Sequence, residues 1–98
     1  KIMANPKIQA VCGFGCGSSL MLRMKIDSIL KQHGLEAFTF TGDVGTCLAN
    51  ECDVIFISNE LAERIVDRAN VPIVVINNFM NTQEVEQKVL DYYKTLEQ

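Results

Sequence analysis

The residues best suited to chemistry lie together between positions 12 and 19, in the run Cys12-Gly13-Phe14-Gly15-Cys16-Gly17-Ser18-Ser19. The run follows a short apolar stretch and precedes a helical pattern, so it is expected to be a strand-to-helix loop. Three glycines in five positions permit turns that point successive amide N–H groups into one concave nest. The N-terminus of the helix adds unpaired N–H donors and a partial positive charge. The loop is therefore predicted to bind a phosphate-sized anion.

Cys12 comes immediately before this nest and is the predicted catalytic residue. Amide donors and the positive end of a helix stabilise a thiolate, which is the nucleophilic form of cysteine. A cysteine that only packs in the core is the alternative, but the position favours a cysteine that carries a phosphoryl group. The rest of the loop is predicted to bind the phosphate, with Ser18 and Ser19 adding hydroxyl donors or capping the helix.

Other glycine-rich and cysteine-containing loops fit the spacing less well. No lysine follows the glycines, as a nucleotide P-loop requires, and the G-x-G-x-x-G spacing of a dinucleotide site is absent. A tyrosine phosphatase places an arginine six residues after its cysteine to grip the phosphate, whereas that position here is Ser18. Asp43 is the only acidic residue expected near the loop. A site without the arginine and a proper general acid would hydrolyse phosphate poorly, which suits a carrier.

The composition restricts the class of protein. The chain has 98 residues, of which 48% are apolar, and its nine basic and twelve acidic residues give a net charge of −3. An acidic balance argues against nucleic acid as the main partner. No apolar run approaches the roughly 20 residues that span a bilayer, so no membrane insertion is expected. Residues 1–6 are expected to be a tail, and residues 7–98 a single domain.

The four cysteines do not indicate a disulfide scaffold or a metal site. The chain is too rich in aliphatic residues for a small disulfide domain. Neither cysteine pair has C-x-x-C spacing, and His33 is not near a cysteine in the sequence, so no metal is predicted. Cys47 and Cys52 are expected to pack in the core of a protein kept in a reducing cytoplasm.

The hydrophobic pattern predicts alternating strands and helices. Apolar runs predict four strands, and apolar residues at helical spacing predict three helices and one short helical turn. The strands are expected at Ile8–Cys12, Leu35–Phe40, Val54–Ile57 and Ile73–Ile76, with the last two buried on both faces. The first helix is expected from Ser18 to His33, with Gly34 as the C′ residue. The second is expected to start with Asn59 as its cap, and the third with a capping box formed by Asn81 and Glu84. Residues 41–45 are expected to form a loop and residues 46–50 the short helical turn.

This order predicts an α/β fold with right-handed crossovers. We expect a Rossmann-like three-layer sandwich, with a four-stranded parallel sheet ordered 2-1-3-4 and helices on both faces. In such a sheet the ligand site lies beyond the carboxyl ends of the strands. The loop after Cys12 is expected there, together with the loops that follow the other three strands. Phe14, expected at the loop apex, either docks a partner or packs locally, and Met21 and Met24 stand out beside it.

The run from Val11 to Ser19, continuing to Met24-Lys25-Ile26-Asp27, resembles the ascorbate-type enzyme IIB of the bacterial sugar phosphotransferase system (PTS). The galactitol and lactose/cellobiose IIB components are more distant. The resemblance implies that Cys12 accepts a phosphoryl group from a phosphohistidine of enzyme IIA. It would pass this group to a sugar, ascorbate, held by the membrane enzyme IIC. The protein would then be a cytoplasmic phosphotransferase without a cofactor, peripheral to the inner membrane through IIC. Cys16 departs from the family, where a polar, non-thiol residue is expected.

Two alternatives to this carrier function stay open at the level of the sequence. A small cysteine-dependent phosphatase would use Cys12 as its nucleophile and would release phosphate from p-nitrophenyl phosphate. A redox or regulatory module would instead use Cys12 and Cys16 as a reversible thiol pair, provided that the loop lets the two sulfurs approach disulfide distance.

Overall fold

The chain folds around one parallel sheet whose strands alternate with helices. The computed structural model describes residues 5–12 and 17–96, and for Cys12 and residues 17–19 it describes the backbone alone. The strands are β1 (Lys7–Cys12), β2 (Phe38–Asp43), β3 (Val54–Ser58) and β4 (Ile73–Ile76). The helices are α1 (Gly17–Gln32), α2 (Asn59–Ile65) and α3 (Thr82–Leu96), and a 3-10 turn occupies Cys47–Ala49.

The four strands are all parallel and lie in the order β2-β1-β3-β4. The predicted α/β class and strand order are confirmed. β3 is an inner strand, and its residues Val54 to Ile57 are fully buried, as its uninterrupted apolar sequence predicts. β1 is the other inner strand. Its carboxyl end therefore lies in the middle of the sheet edge at which all four strands finish.

Two apolar clusters cover the two faces of the sheet and complete the three layers. On one face α1 and α3 pack through a stripe of buried residues that includes Leu22, Ile26, Val85 and Val89. On the other face α2 and the 3-10 turn pack through Cys47, Val11, Ile55, Ile57, Ala62 and Ile65. The predicted apolar faces of the first and last helices are thus confirmed.

The second strand starts and ends three residues later than predicted. The sequence favours Leu35–Phe40, but β2 pairs with β1 from Lys7 opposite Phe38 to Cys12 opposite Asp43. Before the strand, the chain uses Gly34 to end α1. Its φ of 67° lets the Leu35 N–H donate to the Leu30 carbonyl at 2.8 Å, the closing bond of a Schellman motif. Residues 41–43, expected in a loop, belong to the strand.

Three smaller predictions are corrected. β4 is not buried on both faces: it is an edge strand, and only Ile76 among its residues is buried. α2 is capped by Ser58 and not by Asn59, because the Ser58 hydroxyl accepts from the Leu61 N–H at 3.4 Å. At α3, Asn81 caps as predicted by accepting from the Glu84 N–H at 3.2 Å. The Glu84 carboxylate binds other amides and does not complete the box.

Candidate functional site

Cys12 is the last residue of β1, and α1 begins at Gly17. Only residues 13–16 therefore connect an inner strand to a helix, as the sequence predicts. The predicted phosphate-binding residues Gly13, Phe14, Gly15 and Cys16 lie outside the described residues. So do the side chains of Cys12, Ser18 and Ser19. Their roles stay predictions, while the strand end and the helix start that bracket them are in place.

Asp43 is the neighbour of Cys12 across the strand pair. The two residues are register partners at the carboxyl ends of β1 and β2, and neighbouring strands in a sheet are about 4.8 Å apart. The Asp43 side chain is exposed. Asp43, the acidic residue expected near the loop, is thus the neighbour of Cys12 on the adjacent strand.

Gln9 of β1, three residues before Cys12, is a polar residue whose side chain is buried. Gln9 is fully buried, and its amide nitrogen donates to the Cys47 carbonyl at 3.1 Å. Its amide oxygen accepts from the Asn50 side chain at 2.8 Å. Gly42 of β2 leaves room for this amide, because a Cβ there would come within 2.8 Å of the Gln9 Cδ. Gln9 therefore fastens the 3-10 turn to the inner strand that carries Cys12.

Gln9 was not among the functional residues predicted from the sequence. The available signal was an amide side chain in the middle of an otherwise apolar strand, because buried polar groups must find partners.

The loop after β4 is held at the same edge of the sheet by Glu84. Its carboxylate accepts from the Asn77 N–H at 2.7 Å and from the Asn78 N–H at 3.0 Å. The Asn78 side chain in turn accepts from the Met80 N–H at 3.0 Å. Sequence reasoning assigned Glu84 to a capping box. Instead it fixes the backbone of the loop after β4, at the same carboxyl edge of the sheet but two strands away from β1.

The cysteines outside the loop behave as packing residues. Cys47 is buried in the second apolar cluster, and Cys52 packs against that cluster. Burial raises the pKa of both thiols above the ordinary value. Neither environment activates a nucleophile. The expected core role of Cys47 is confirmed, whereas Cys52 is half-buried against the same cluster.

Two basic residues of α1 bind neighbouring elements. Arg23 donates to the Thr39 hydroxyl at 3.2 Å, and that hydroxyl donates to Asp27 at 2.6 Å. Lys25 donates to the Thr82 hydroxyl at 3.1 Å. α1 is thus tied to β2 on one side and to the start of α3 on the other. His33 lies just beyond the end of α1 that is remote from the loop. Its Nε2 is 2.8 Å from a carboxylate oxygen of Glu86.

Two further findings concern metals and membranes. Within residues 5–12 and 17–96, no group of three or more histidine, cysteine or acidic side chains could hold a metal ion. Over the same part of the chain, no helix is long and apolar enough to cross a bilayer.

Residues 7–91 match the family described as the PTS system, lactose/cellobiose specific IIB subunit. The chain belongs to this family. PTS IIB components are phosphotransferases that carry a phosphoryl group in sugar phosphotransfer. A strand-to-helix loop at the carboxyl edge of a parallel sheet is a suitable place for that chemistry, because the helix N-terminus attracts anions.

Individual relatives agree with this assignment. The chain is 30% identical over 95 residues to proteins named ascorbate-specific PTS system EIIB component from Shigella sonnei (strain Ss046) and Escherichia coli O157:H7. Each match covers 90% of this chain and 89% of the relative. The solved structure of a lactose-specific IIB component domain from Streptococcus pneumoniae has a TM-score of 0.69 at 17% identity. It covers 96% of this chain and 99% of that one, and shares the fold.

Proposed function

We propose that Cys12 is the residue of this IIB component that carries the phosphoryl group. The observation that supports it is the position of Cys12 at the carboxyl end of an inner strand, with only four residues between it and the start of a helix. The intervening loop has the glycines needed to point backbone amides at an anion. Of the cysteines described elsewhere, Cys47 is buried in the core and Cys52 is half-buried against it, and burial raises the pKa of both thiols.

The transfer would proceed in two displacements on phosphorus. The donor is a phosphohistidine of enzyme IIA. As the Cys12 sulfur attacks, an S–P bond forms and the N–P bond breaks, and the imidazole nitrogen keeps the electron pair and takes up a proton. A hydroxyl of the sugar on IIC then attacks, so that an O–P bond forms, the hydroxyl proton passes to water, the S–P bond breaks and the Cys12 sulfur keeps the electron pair as a thiolate. Such transfers depend mainly on positioning and on charge stabilisation, which the loop amides and the α1 N-terminus supply.

The proposed sugar is ascorbate, and the proposed location is the cytoplasmic face of the inner membrane beside IIC. The names of the 30% identical relatives support ascorbate, whereas the description of the matching family refers to lactose and cellobiose. Vesicles that contain either an ascorbate or a lactose IIC would separate the two. Phosphoryl transfer from the charged protein should occur with the ascorbate vesicles. Transfer with the lactose vesicles alone would refute the assignment of the sugar.

The direct test of the site uses two cysteine variants. Wild type incubated with phosphorylated IIA should gain about 80 Da, the mass of one phosphoryl group, by intact-mass spectrometry. Cys12→Ser should gain none, because a hydroxyl is not activated in this loop. Cys16→Ser should keep most of the transfer and serves as the matched control. Uptake by Cys12→Ser together with its loss in Cys16→Ser would refute the assignment.

A phosphatase is the second candidate, and the adjacency of Cys12 and Asp43 is the observation that favours it. In a cysteine phosphatase, an acid beside the nucleophile protonates the leaving group. Turnover of p-nitrophenyl phosphate that is lost in both Cys12→Ser and Asp43→Asn would support this function. We expect almost no turnover, since position 18 is serine where a phosphatase has arginine.

A further inference from the structure

β2 is an edge strand of the sheet, and its sequence lacks the features that keep such edges apart. An edge strand offers a row of unpaired N–H and C=O groups, which proteins usually protect with lysine, proline or a covering element. β2 consists of phenylalanine, threonine and glycine before its only charged residue, Asp43, at the end. Within residues 5–12 and 17–96, no strand pairs with its outer side. β2 is therefore a template on which a further strand can pair.

The backbone groups of alternate β2 residues point outward from this edge. The Phe38 N–H donates to the Pro6 carbonyl at 2.9 Å, so the backbone groups of Phe38 face β1. Successive residues of a strand alternate in this direction. The N–H and C=O groups of Thr39 and Thr41 therefore point away from β1. An added strand would bond to these two residues without disturbing the pairing of β2 with β1.

Two phenylalanines lie beside this edge, outside the core. The Thr39 side chain points towards α1, where it bonds to two helix residues, so Phe38 and Phe40 point to the opposite face of the sheet. Their ring centroids are 5.9 Å apart, and Phe38 is 60% exposed. Neither ring belongs to the two apolar clusters, because α2 on that face packs over β3 and β4. The pair forms an apolar patch along the open edge.

On the other face, two opposite charges of α1 flank the position of Thr39. Arg23 donates to the Thr39 hydroxyl at 3.2 Å, and that hydroxyl donates to Asp27 at 2.6 Å. Arg23 and Asp27 are one helical turn apart, and both side chains are partly exposed. They therefore lie on the flank of α1 next to the open edge, one on either side of the level of Thr39. A two-fold axis through Thr39 would place Arg23 of each copy beside Asp27 of the other.

We propose that β2 pairs with β2 of a second copy of the chain, antiparallel about a two-fold axis at Thr39. The two Thr39 residues exchange N–H···O=C bonds across the axis. Phe38 then faces Phe40 of the second copy as a non-hydrogen-bonded pair, the kind with the closer side chains. Such aromatic pairs across strands are favourable. The result is a dimer with one continuous sheet and four phenylalanine rings together on one of its faces.

The helices on the other face fit the same arrangement. α1 contacts both β1 and β2, and neighbouring strands are about 4.8 Å apart, so the two α1 axes would lie about 10 Å apart. Packed helices have axes at about this distance. The alternation of Arg23 and Asp27 gives the self-complementary charges that a two-fold interface requires. Backbone, aromatic rings and charges thus agree on one axis, which favours a second copy over an unrelated partner.

This dimer leaves the two candidate sites apart. Asp43, the neighbour of Cys12, is four residues after Thr39, or about 13 Å along the strand. The two-fold axis directs the carboxyl ends of the two β2 strands in opposite directions. Cys12 of each copy therefore ends its strand on a different side of the axis. The proposal does not depend on the role of Cys12.

Sedimentation equilibrium tests the dimer by measuring mass against protein concentration. The mass of the wild type should rise from 10.9 kDa to twice that value as concentration increases. Phe38→Gln changes an exposed side chain twice in each dimer and should weaken association about tenfold, equivalent to about 1.4 kcal/mol. Val66→Gln is the matched control, because Val66 is 56% exposed beside α2 and should associate as wild type does. Circular dichroism checks that both variants are folded.

Reversal of the charges on α1 tests the position of the axis. Asp27→Arg leaves only positive groups at the contact between the two helices and should weaken association about tenfold. Arg23→Asp/Asp27→Arg exchanges the two charges and restores an opposite pair across the axis. The double variant should therefore associate nearly as wild type does.

Amide hydrogen exchange identifies the strand that pairs. Exchange at Thr39 and Thr41 should slow markedly as concentration increases, because their N–H groups become bonded only in the dimer. The Phe38 amide is the internal control, since its bond to Pro6 protects it at every concentration. A wild type that remains at 10.9 kDa up to millimolar concentration would overturn the proposal. So would equal weakening by Phe38→Gln and Val66→Gln, a dimer in which Thr39 still exchanges fast, or failure of the charge exchange to restore association.

Discussion

Replacement of Gly42 by alanine should destabilise the fold by displacing the buried side chain of Gln9. The new Cβ would come within 2.8 Å of the Gln9 Cδ and 3.1 Å of its Cγ, closer than side-chain carbons pack. Gln9 must then move away from the Cys47 carbonyl and from the Asn50 amide. Each lost hydrogen bond costs about 1 kcal/mol, and a buried group left without a partner adds about 1–3 kcal/mol. Two lost bonds and one buried group without a partner together give an expected loss in the free energy of unfolding of about 3–5 kcal/mol.

Urea unfolding followed by circular dichroism measures this loss, and a double-mutant cycle tests its cause. Gln9→Ala removes the side chain that clashes, so Gly42→Ala should cost little in the Gln9→Ala background. The two single changes should therefore sum to about 3 kcal/mol or more above the double change. Gly45→Ala is the matched control, because its Cβ would meet the end of the exposed Asp43 side chain at 3.2 Å. It should change stability by less than about 0.5 kcal/mol. Additive effects of Gln9→Ala and Gly42→Ala would refute the clash.

Three further predictions follow from other parts of the chain. Gly34→Ala should cost about 1 kcal/mol in urea unfolding, since its φ of 67° is unfavourable for alanine; a neutral effect would contradict the Schellman ending of α1. Burial raises the pKa of Tyr92 and of Tyr93 to about 12 from 10, so the native state favours the neutral phenols. Their contribution to stability should be present below pH 10 and decline towards pH 12, and Tyr92→Phe should flatten that decline. Mild peroxide should oxidise the Cys12 and Cys16 thiols to a disulfide, with release of water. This should block phosphorylation until a thiol reductant is added. Peptide mapping that finds a bridge to Cys47 instead would contradict the prediction.

The strand order and the main apolar faces could be predicted from the sequence because burial dominates them. Val54 to Ile57 are apolar at every position, and such a run fits only a strand covered on both faces. Leu22 and Ile26, like Val85 and Val89, repeat at helical spacing and reach the core. These patterns depend on local sequence and on the hydrophobic effect. They can therefore be recognised in the sequence before any tertiary contact is known.

Predictions from the sequence were wrong where a contact with a residue on another element determines the local structure. The pattern around Leu35–Phe40 is compatible with several strand boundaries, and pairing with the whole of β1 selects Phe38–Asp43. Ile73–Val75 have the composition of an inner strand, but nothing in their sequence shows that the described sheet ends there. Glu84 has the spacing of a capping box, yet two loop amides are the better donors. Such choices depend on contacts between distant residues, which spacing along the chain does not contain.

The buried amide of Gln9 links the fold to the proposed chemistry. A phosphoryl acceptor gains most of its rate from correct placement of the reacting atom, and small displacements cost rate. β1 ends at Cys12, and Gln9 joins that strand to the 3-10 turn. Gly42 of β2 has no side chain and so leaves space for the Gln9 amide. An apolar residue at position 9 would fill the same space but would leave the Cys47 carbonyl and Asn50 without this partner. We therefore interpret the polar residue in the core as the side chain that fastens β1, the strand ending at Cys12, to the 3-10 turn.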